Sequence, residues 1–286
     1  MGTITHKAGR IAVSKVTDVV LKNLDKDREK EILKLVDFIE KYMDGEKLDV
    51  DFNNIRKKIE DKDSAINKYI NKALDEIDPG VLKTIVLNLG FEAFLNGTKT
   101  IRKMREKYDC NIPWLILMDP TSACNLHCTG CWAAEYGNRL NLTYEEMDSV
   151  VTQGKELGTY LYMFTGGEPL VRKSDIIKLC EKHNDCAFLS FTNGTLVDEE
   201  FCQEMKRVGN LYLAISLEGF EAVNDLRRGD GVYGKVMNAM DLLKKNGLVF
   251  GYATHQRIQK QLQVMNLYGL WLIRVADMRC ISIIFQ

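Results

Sequence analysis

Residues Ile112-Pro-Trp-Leu-Ile-Leu-Met-Asp-Pro-Thr-Ser-Ala-Cys-Asn-Leu-His-Cys-Thr-Gly-Cys131 divide a 286-residue chain into two unlike parts. The apolar run ending at Met118 predicts a buried strand of a parallel sheet. Cys124, Cys128 and Cys131 follow it at C-x3-C-x2-C spacing, which places them on a loop at the strand's C-terminal end. Gaps this short suit a loop wrapped around one compact inorganic object. Three readings compete for it. A structural zinc site wants four closed ligands, and His127, next to Cys128 in sequence, is badly placed to share its ion. Plain buried thiols are the second reading, since free cysteine is among the most buried residue types. The third is a [4Fe-4S] cluster, which normally takes four thiolates. Three would leave one iron open to a ligand that is not protein.

Downstream, strand-like and helix-like segments alternate, which argues for a parallel α/β sheet. A second strand, Tyr160 to Phe164, runs into Thr165-Gly-Gly-Glu-Pro169. Its two glycines allow close backbone approach to a ligand, and the carboxylate beside them can hold an ammonium. Further strands are expected at Ala187 to Thr192, Leu211 to Leu217 and Leu248 to Ala253. The helices between them are expected at Thr143 to Leu157 (capped by Asn141 or Thr143), Ser174 to His183 (capped by Ser174), Asp198 to Val208 (capped by Asp198) and Lys235 to Asn246. Parallel sheets place their sites at the C-terminal ends of strands, and every suspicious motif in this chain falls there. Asn193 of Thr192-Asn-Gly194 ends the third strand, where a plain turn is the alternative. Ser216 and Glu218 end the fourth, and strand alternation puts both on one face.

At this point the sequence resembles the radical S-adenosylmethionine (SAM) enzymes. The resemblance implies that Cys124, Cys128 and Cys131 hold three irons of a [4Fe-4S] cluster and that SAM chelates the fourth. It makes Gly166, Gly167, Glu168 and Pro169 the segment that receives the SAM amino group. Asn193, Ser216 and Glu218 become its further polar contacts. Asn224-Asp-Leu-Arg-Arg228-Gly229 resembles a His-Asp-x-x-Arg-Gly pattern in which Arg228, rather than Arg227, is the cation near the SAM carboxylate. The residue before the last cysteine, aromatic in the family and in contact with adenine, is Gly130 here. Trp132 is the candidate to supply that face. The stretch around the cysteines looks like a branch holding uncharacterised proteins and the adenosylhopene-forming enzymes. The implied activity is reductive cleavage of SAM to a 5′-deoxyadenosyl radical that acts on an unknown substrate. An electron donor such as a ferredoxin or flavodoxin, and sensitivity to oxygen, come with it. A non-catalytic metal-binding or electron-transfer iron-sulfur protein is the alternative of another class.

Net charge is −1 with both signs interspersed, so there is no electrostatic footprint for nucleic acid. No apolar run reaches the roughly 18 residues of a membrane helix, and Met1 to Lys15 lacks an apolar signal core. A cytoplasmic location, with the eight cysteines as thiols, is the expectation. Residues 1–110 carry helical periodicity with a break near Asn23 to Asp25 and a start signal at Asp78-Pro79. Packing on the catalytic domain, closing over the site, or docking a partner are its expected roles. The fold class is therefore α/β, a partial (β/α)6 TIM-like barrel at 111–251 preceded by an all-helical region at 1–110. An atypical tail follows at 252–286, where five of the chain's seven glutamines lie beside a single acidic residue, Asp277. Composition changes so abruptly near Tyr252 that an inactive truncated or out-of-frame product, native to about Gly251, is expected. Such a tail should leave the fifth strand's edge open. A divergent tail is the alternative.

Overall fold

The computed structural model describes residues 2–43, 50–131, 133, 137 and 139–254, with strand pieces at 273–274 and 282–285. The N-terminal region is helical: α1 (Gly2–Asn23), α2 (Arg28–Tyr42), α3 (Phe52–Glu60), α4 (Ala65–Glu76) and α5 (Pro79–Ile85). Asp27, Asp51, Ser64 and Asp78 each accept a backbone N–H from the first turn of α2, α3, α4 and α5 respectively. Such caps satisfy donors that have no partner inside the helix. From α5 the chain runs on through a π-helical stretch, Val86–Gly97, into α6 (Thr98–Tyr108), as one rod. One face of the rod puts Leu87, Phe91 and Leu95 into a small core with Val13 and Met43.

Then come β1 (Leu115–Met118), α7 (Tyr144–Leu157), β2 (Leu161–Phe164), α8 (Lys173–Lys182), β3 (Ala187–Thr192), α9 (Glu199–Val208), β4 (Leu211–Ser216), α10 (Glu221–Arg228), α11 (Val232–Lys245) and β5 (Phe250–Thr254). The five strands are parallel and lie in the order β1-β2-β3-β4-β5. An order that never reverses is that of a barrel wall, whereas an open doubly wound sheet reverses at a switch point. Tyr162 donates to the Val151 carbonyl of α7, and Ile116 abuts Gly154 of the same helix. Ile215 lies beside Gly194, which also faces Val236 and Ala239 of α11. These residues mark the helix side of the sheet. Alternation then sends Leu117, Met163, Phe191 and Ser216 to the concave side.

The rod lies under the N-terminal ends of the strands. Asp78 donates its N–H to the Gly247 carbonyl ahead of β5, and Thr84 packs on Gly209 ahead of β4. Asn88 donates to the Asn184 and Cys186 carbonyls ahead of β3 at 2.9 and 2.8 Å. Trp114 donates to the Ala93 carbonyl, and Gly97 meets Gly158 backbone to backbone ahead of β2. Of the roles expected for the N-terminal region, packing on the barrel is the one these contacts describe. A lid would sit at the other end, where the strands' C-termini and the cysteines are.

Several local expectations need correction. Ser174 is not a cap, because Pro169–Arg172 forms a 3-10 turn that delivers Lys173 into α8 one residue earlier. The loop expected after β4 contains a helix, α10. β1 is not buried on both faces: Leu117 is 43% exposed on the concave side. The edge of β5 is not open either, since β7 (Ser282–Phe285) pairs with it antiparallel and β6 (Ile273–Arg274) pairs with β7. That direction is not the one a sixth barrel strand would have. Tyr252 to Thr254 of the expected atypical tail belong to β5, and its residues beyond these strands lie outside those described.

α8 ends in a titratable contact. His183 Nε2 sits 2.9 Å from Asp148 Oδ1 on α7, and Lys182 reaches the same carboxylate. Burial holds the His183 imidazole below its usual range, against the pull of Asp148. A histidine with a depressed folded pKa is neutral where the unfolded one gains a proton, so stability falls as pH drops through the unfolded value near 6.5. We expect the urea midpoint to fall between pH 7 and pH 5.5, and His183→Gln to flatten that part of the profile. An unchanged slope in the variant would clear His183 of the effect.

Candidate functional site

β1 and β2 end side by side, Met118 level with Phe164, and from there two loops are clamped together through their backbones. Thr165 N–H donates to Met118, Gly167 N–H to Thr121 at 2.9 Å, and Glu168 N–H to Ala123 at 2.8 Å. The glycines make this possible. A Cβ on Gly166 would lie 2.5 Å from the Thr121 carbonyl, and one on Gly167 would lie 2.3 Å from that of Ala123. Gly166 also sits at φ 107°, in the region that favours glycine. The close approach expected toward a ligand is therefore first an approach to the cysteine loop itself. From the other side, Ser122 N–H donates to Leu140 and the Thr121 hydroxyl to Asn141 at 2.6 Å.

Glu168 is nearly sealed from solvent. Its carboxylate accepts from Leu170 N–H, the Thr192 hydroxyl and Asn193 N–H at 2.9, 2.7 and 2.7 Å. It ties the 3-10 turn begun by Pro169 to the end of β3. Burial raises its pKa and these donors pull it back. Asn193 turns its amide to Asn125 and Thr195, so it braces the cysteine loop. Ser216 ends β4 on the concave side. Glu218 is buried and takes Arg227 and Arg228, the latter at 2.6 Å, so Arg228 already has a carboxylate partner. Its Nε, however, is buried without a partner. Trp132 lies outside the described residues.

Cys124, Cys128 and Cys131 are free and half-buried. Burial pushes the Cys124 and Cys128 thiols up. The Leu126 N–H, 3.4 Å from Cys124 Sγ, and the charge of Arg228 near Cys128 act in the opposite sense. Among the described residues no three His, Cys, Asp or Glu side chains are grouped to hold one metal ion. That is no obstacle to a polynuclear cluster, where each thiolate takes a different iron. Three soft donors on one braced loop, with an N–H and a cation to offset thiolate charge, fit such a group.

Two features escaped the sequence reading. Asp119 and Thr165, at the ends of β1 and β2, are joined by a 2.5 Å hydrogen bond, and nothing in their spacing announces it. Arg227 returns to the cysteine loop, accepting from Thr129 N–H through its carbonyl.

Residues 118–255 match the radical SAM superfamily, and the chain thus carries a radical SAM domain. Among curated proteins, Fe-coproporphyrin III synthase of Methanosarcina barkeri is 30% identical over 144 residues, 48% of this chain and 35% of that protein. AdoMet-dependent heme synthase of the same organism is 28% identical, covering 49% and 42%. GTP 3′,8-cyclase of Clostridium botulinum is 31% identical, covering 48% and 45%. The chain thus spans less than half the length of these curated relatives. A solved structure, native anSMEcpe with bound AdoMet and a Cp18Cys peptide, matches at 24% identity and TM-score 0.45, covering 53% and 48%. The superfamily's cofactors are a [4Fe-4S] cluster and SAM. No helix of the described residues is long and apolar enough to cross a membrane.

Proposed function

We propose that this chain binds a [4Fe-4S] cluster through Cys124, Cys128 and Cys131, binds SAM beside it, and starts radical chemistry on a substrate held at the concave face. The observation that carries the reading is the backbone clamp between Thr165–Glu168 and Thr121–Ala123. It welds the three-thiol loop and the Gly-Gly-Glu segment into one mouth, which a pair of unrelated turns would not need. The chemistry that a cluster held by Cys124, Cys128 and Cys131 would supply is one-electron reduction of SAM. The chain's own part is to hold and to exclude. Thr121, Ser122 and Asn141 fix the thiol loop, Glu168 fixes the turn that follows β2, and Arg227 and Arg228 offset negative charge beside Cys128. Leu117, Met163 and Phe191 form an apolar concave wall, which keeps water from a reactive intermediate. Residues 111–251 form the catalytic unit of this reading, and 1–110 its base.

The test is anaerobic reconstitution with iron and sulfide, followed by SAM and dithionite. We expect about four irons per chain and release of 5′-deoxyadenosine. Stoichiometric zinc kept through anaerobic purification, with no uptake of iron, would overturn the reading.

A further inference from the structure

We propose that Asn125 is a positioning residue: through a closed ring of hydrogen bonds with Asn193 and Thr195 it holds the Leu126 N–H on the sulfur of Cys124, and so makes a cluster bound there easier to reduce. The inference rests on the function proposed above and concerns the protein's hold on that cluster, not the binding of SAM. The ring runs in one direction only. Thr195 N–H donates to Asn193 Oδ1 at 2.9 Å, and because a backbone N–H can only donate, it fixes which end of the Asn193 amide is oxygen. Asn193 Nδ2 then donates to Asn125 Oδ1 at 2.9 Å, Asn125 Nδ2 to Thr195 Oγ1 at 2.8 Å, and Thr195 Oγ1 back to Asn193 Oδ1 at 2.7 Å. Each bond polarises the next, which strengthens a closed set beyond its separate pairs.

The ring is anchored on the sheet and ends on the loop. Asn193 is buried just beyond β3, and Gly194, at φ 76°, turns the chain so that Thr195 comes back onto it. Asn125 stands between Cys124 and Leu126 in sequence, so fixing its side chain fixes the stretch of backbone that carries the Leu126 N–H. That N–H lies 3.4 Å from Cys124 Sγ, and the Leu126 side chain is held in turn by packing on the main core. A donor on a ligating thiolate offsets negative charge. The reduced form of a cluster carries one electron more than the oxidised form, so such a donor favours reduction, and hydrogen bonds to the sulfurs are among the features that set cluster potentials. Asn125 acts at one remove, as groups that orient metal ligands do.

The measurement is a potentiometric titration with dithionite of the anaerobically reconstituted full chain, without SAM. It is read by the paramagnetic resonance signal of the reduced cluster, with iron content beside it. Thr195→Val keeps the shape of the side chain and breaks the ring, whereas Thr195→Ser keeps the hydroxyl. At the wild-type midpoint, Thr195→Val should lower the ratio of reduced to oxidised cluster about threefold, the effect of one modest hydrogen bond, at undiminished iron content. Asn125→Ala should lower it at least as far, and Thr195→Ser should keep the wild-type midpoint. Thr195 lies outside the cysteine loop, so its two variants decide the matter even where Asn125→Ala fails to load iron. A ring that merely stiffened the loop would cost iron and leave the midpoint of the loaded fraction unmoved. An unmoved midpoint in Thr195→Val, or an equal fall in Thr195→Ser, overturns the inference while leaving cluster binding intact. Failure of the wild type to take up iron overturns the inference and the proposed function together.

Discussion

Gly167→Ala is expected to strip the protein of iron as completely as Cys124→Ala, although it removes no ligand. For the cysteine the reason is arithmetic: in the proposed function three thiolates hold the cluster, and the loop that carries them has no fourth cysteine in its sequence to replace one. For the glycine the reason is steric. Its Cβ would lie 2.3 Å from the Ala123 carbonyl oxygen and 2.5 Å from that of Ser122. Both are backbone atoms, which cannot rotate out of the way as a side chain can. Relief requires that the two loops part, and parting breaks the Gly167-to-Thr121 and Glu168-to-Ala123 hydrogen bonds that set the start of the cysteine loop. Overpacking of this kind costs about 1 to 3 kcal/mol or more, concentrated at the mouth. The sheet behind it, with its own continuous core, should remain. We therefore expect near-wild-type circular dichroism and less than one iron per chain after reconstitution. Gly90→Ala serves as the control, because a Cβ there meets nothing within 4 Å. Full iron loading in Gly167→Ala would remove the clamp as the support of the proposed function.

What could be read from the chain, and what could not, follows the distance over which each feature is decided. Cys124, Cys128, Cys131 and the Gly-Gly-Glu segment are local patterns on loops after apolar strands, and their placement at one end of the sheet follows from parallel topology alone. Thr143, Asp198 and Asp78 were equally legible as caps, since a cap acts within three residues. Glu168 shows the opposite case. Its acidity is visible in the sequence, but its role is set by Thr192 and Asn193, more than twenty residues away. α10 was missed because its apolar residues do not mark a buried stripe: Phe220, Val223 and Leu226 are exposed, Leu226 by 85%. Its inward face is polar, with Asn224 fully buried and donating to Asp225 while accepting from Glu218 N–H. The run from Val81 to Leu95 read correctly as helical, but the pattern could not show that the rod crosses beneath the strands. That fact lies in backbone carbonyls of distant loops, which every residue carries alike.

The rod also gives the second large effect, in Asn88→Asp. Asn88 is fully buried. Its amide nitrogen donates to the carbonyls of Asn184 and Cys186, while its oxygen accepts from Arg10 Nη2 at 2.8 Å. Next to it, Glu92 is also fully buried and is held by Arg10 and His6 at 2.9 and 2.7 Å. Changing the amide to a carboxylate preserves size and shape but turns the donor into an acceptor that faces two carbonyl oxygens. It also gives Arg10 two buried acids in place of one. Leaving a buried polar group unsatisfied costs about 1 to 3 kcal/mol, and more when it is charged; lone-pair repulsion adds to that here. We expect a loss of about 3 kcal/mol or more in urea unfolding at pH 7, shrinking as pH falls and the new acid takes a proton. Asn88→Ala should cost less, because the Cys186 carbonyl keeps Asn210 as a donor at 3.0 Å and only the Asn184 carbonyl and Arg10 lose a partner. The ranking Asp worse than Ala is the discriminating result, since helix propensity and volume alone separate the two far less. Equal stabilities, within about 0.5 kcal/mol, would mean that the rod does not dock under β3. Iron loading of the folded fraction should stay intact in both variants, because the cysteines lie at the opposite end of the strands from Asn88.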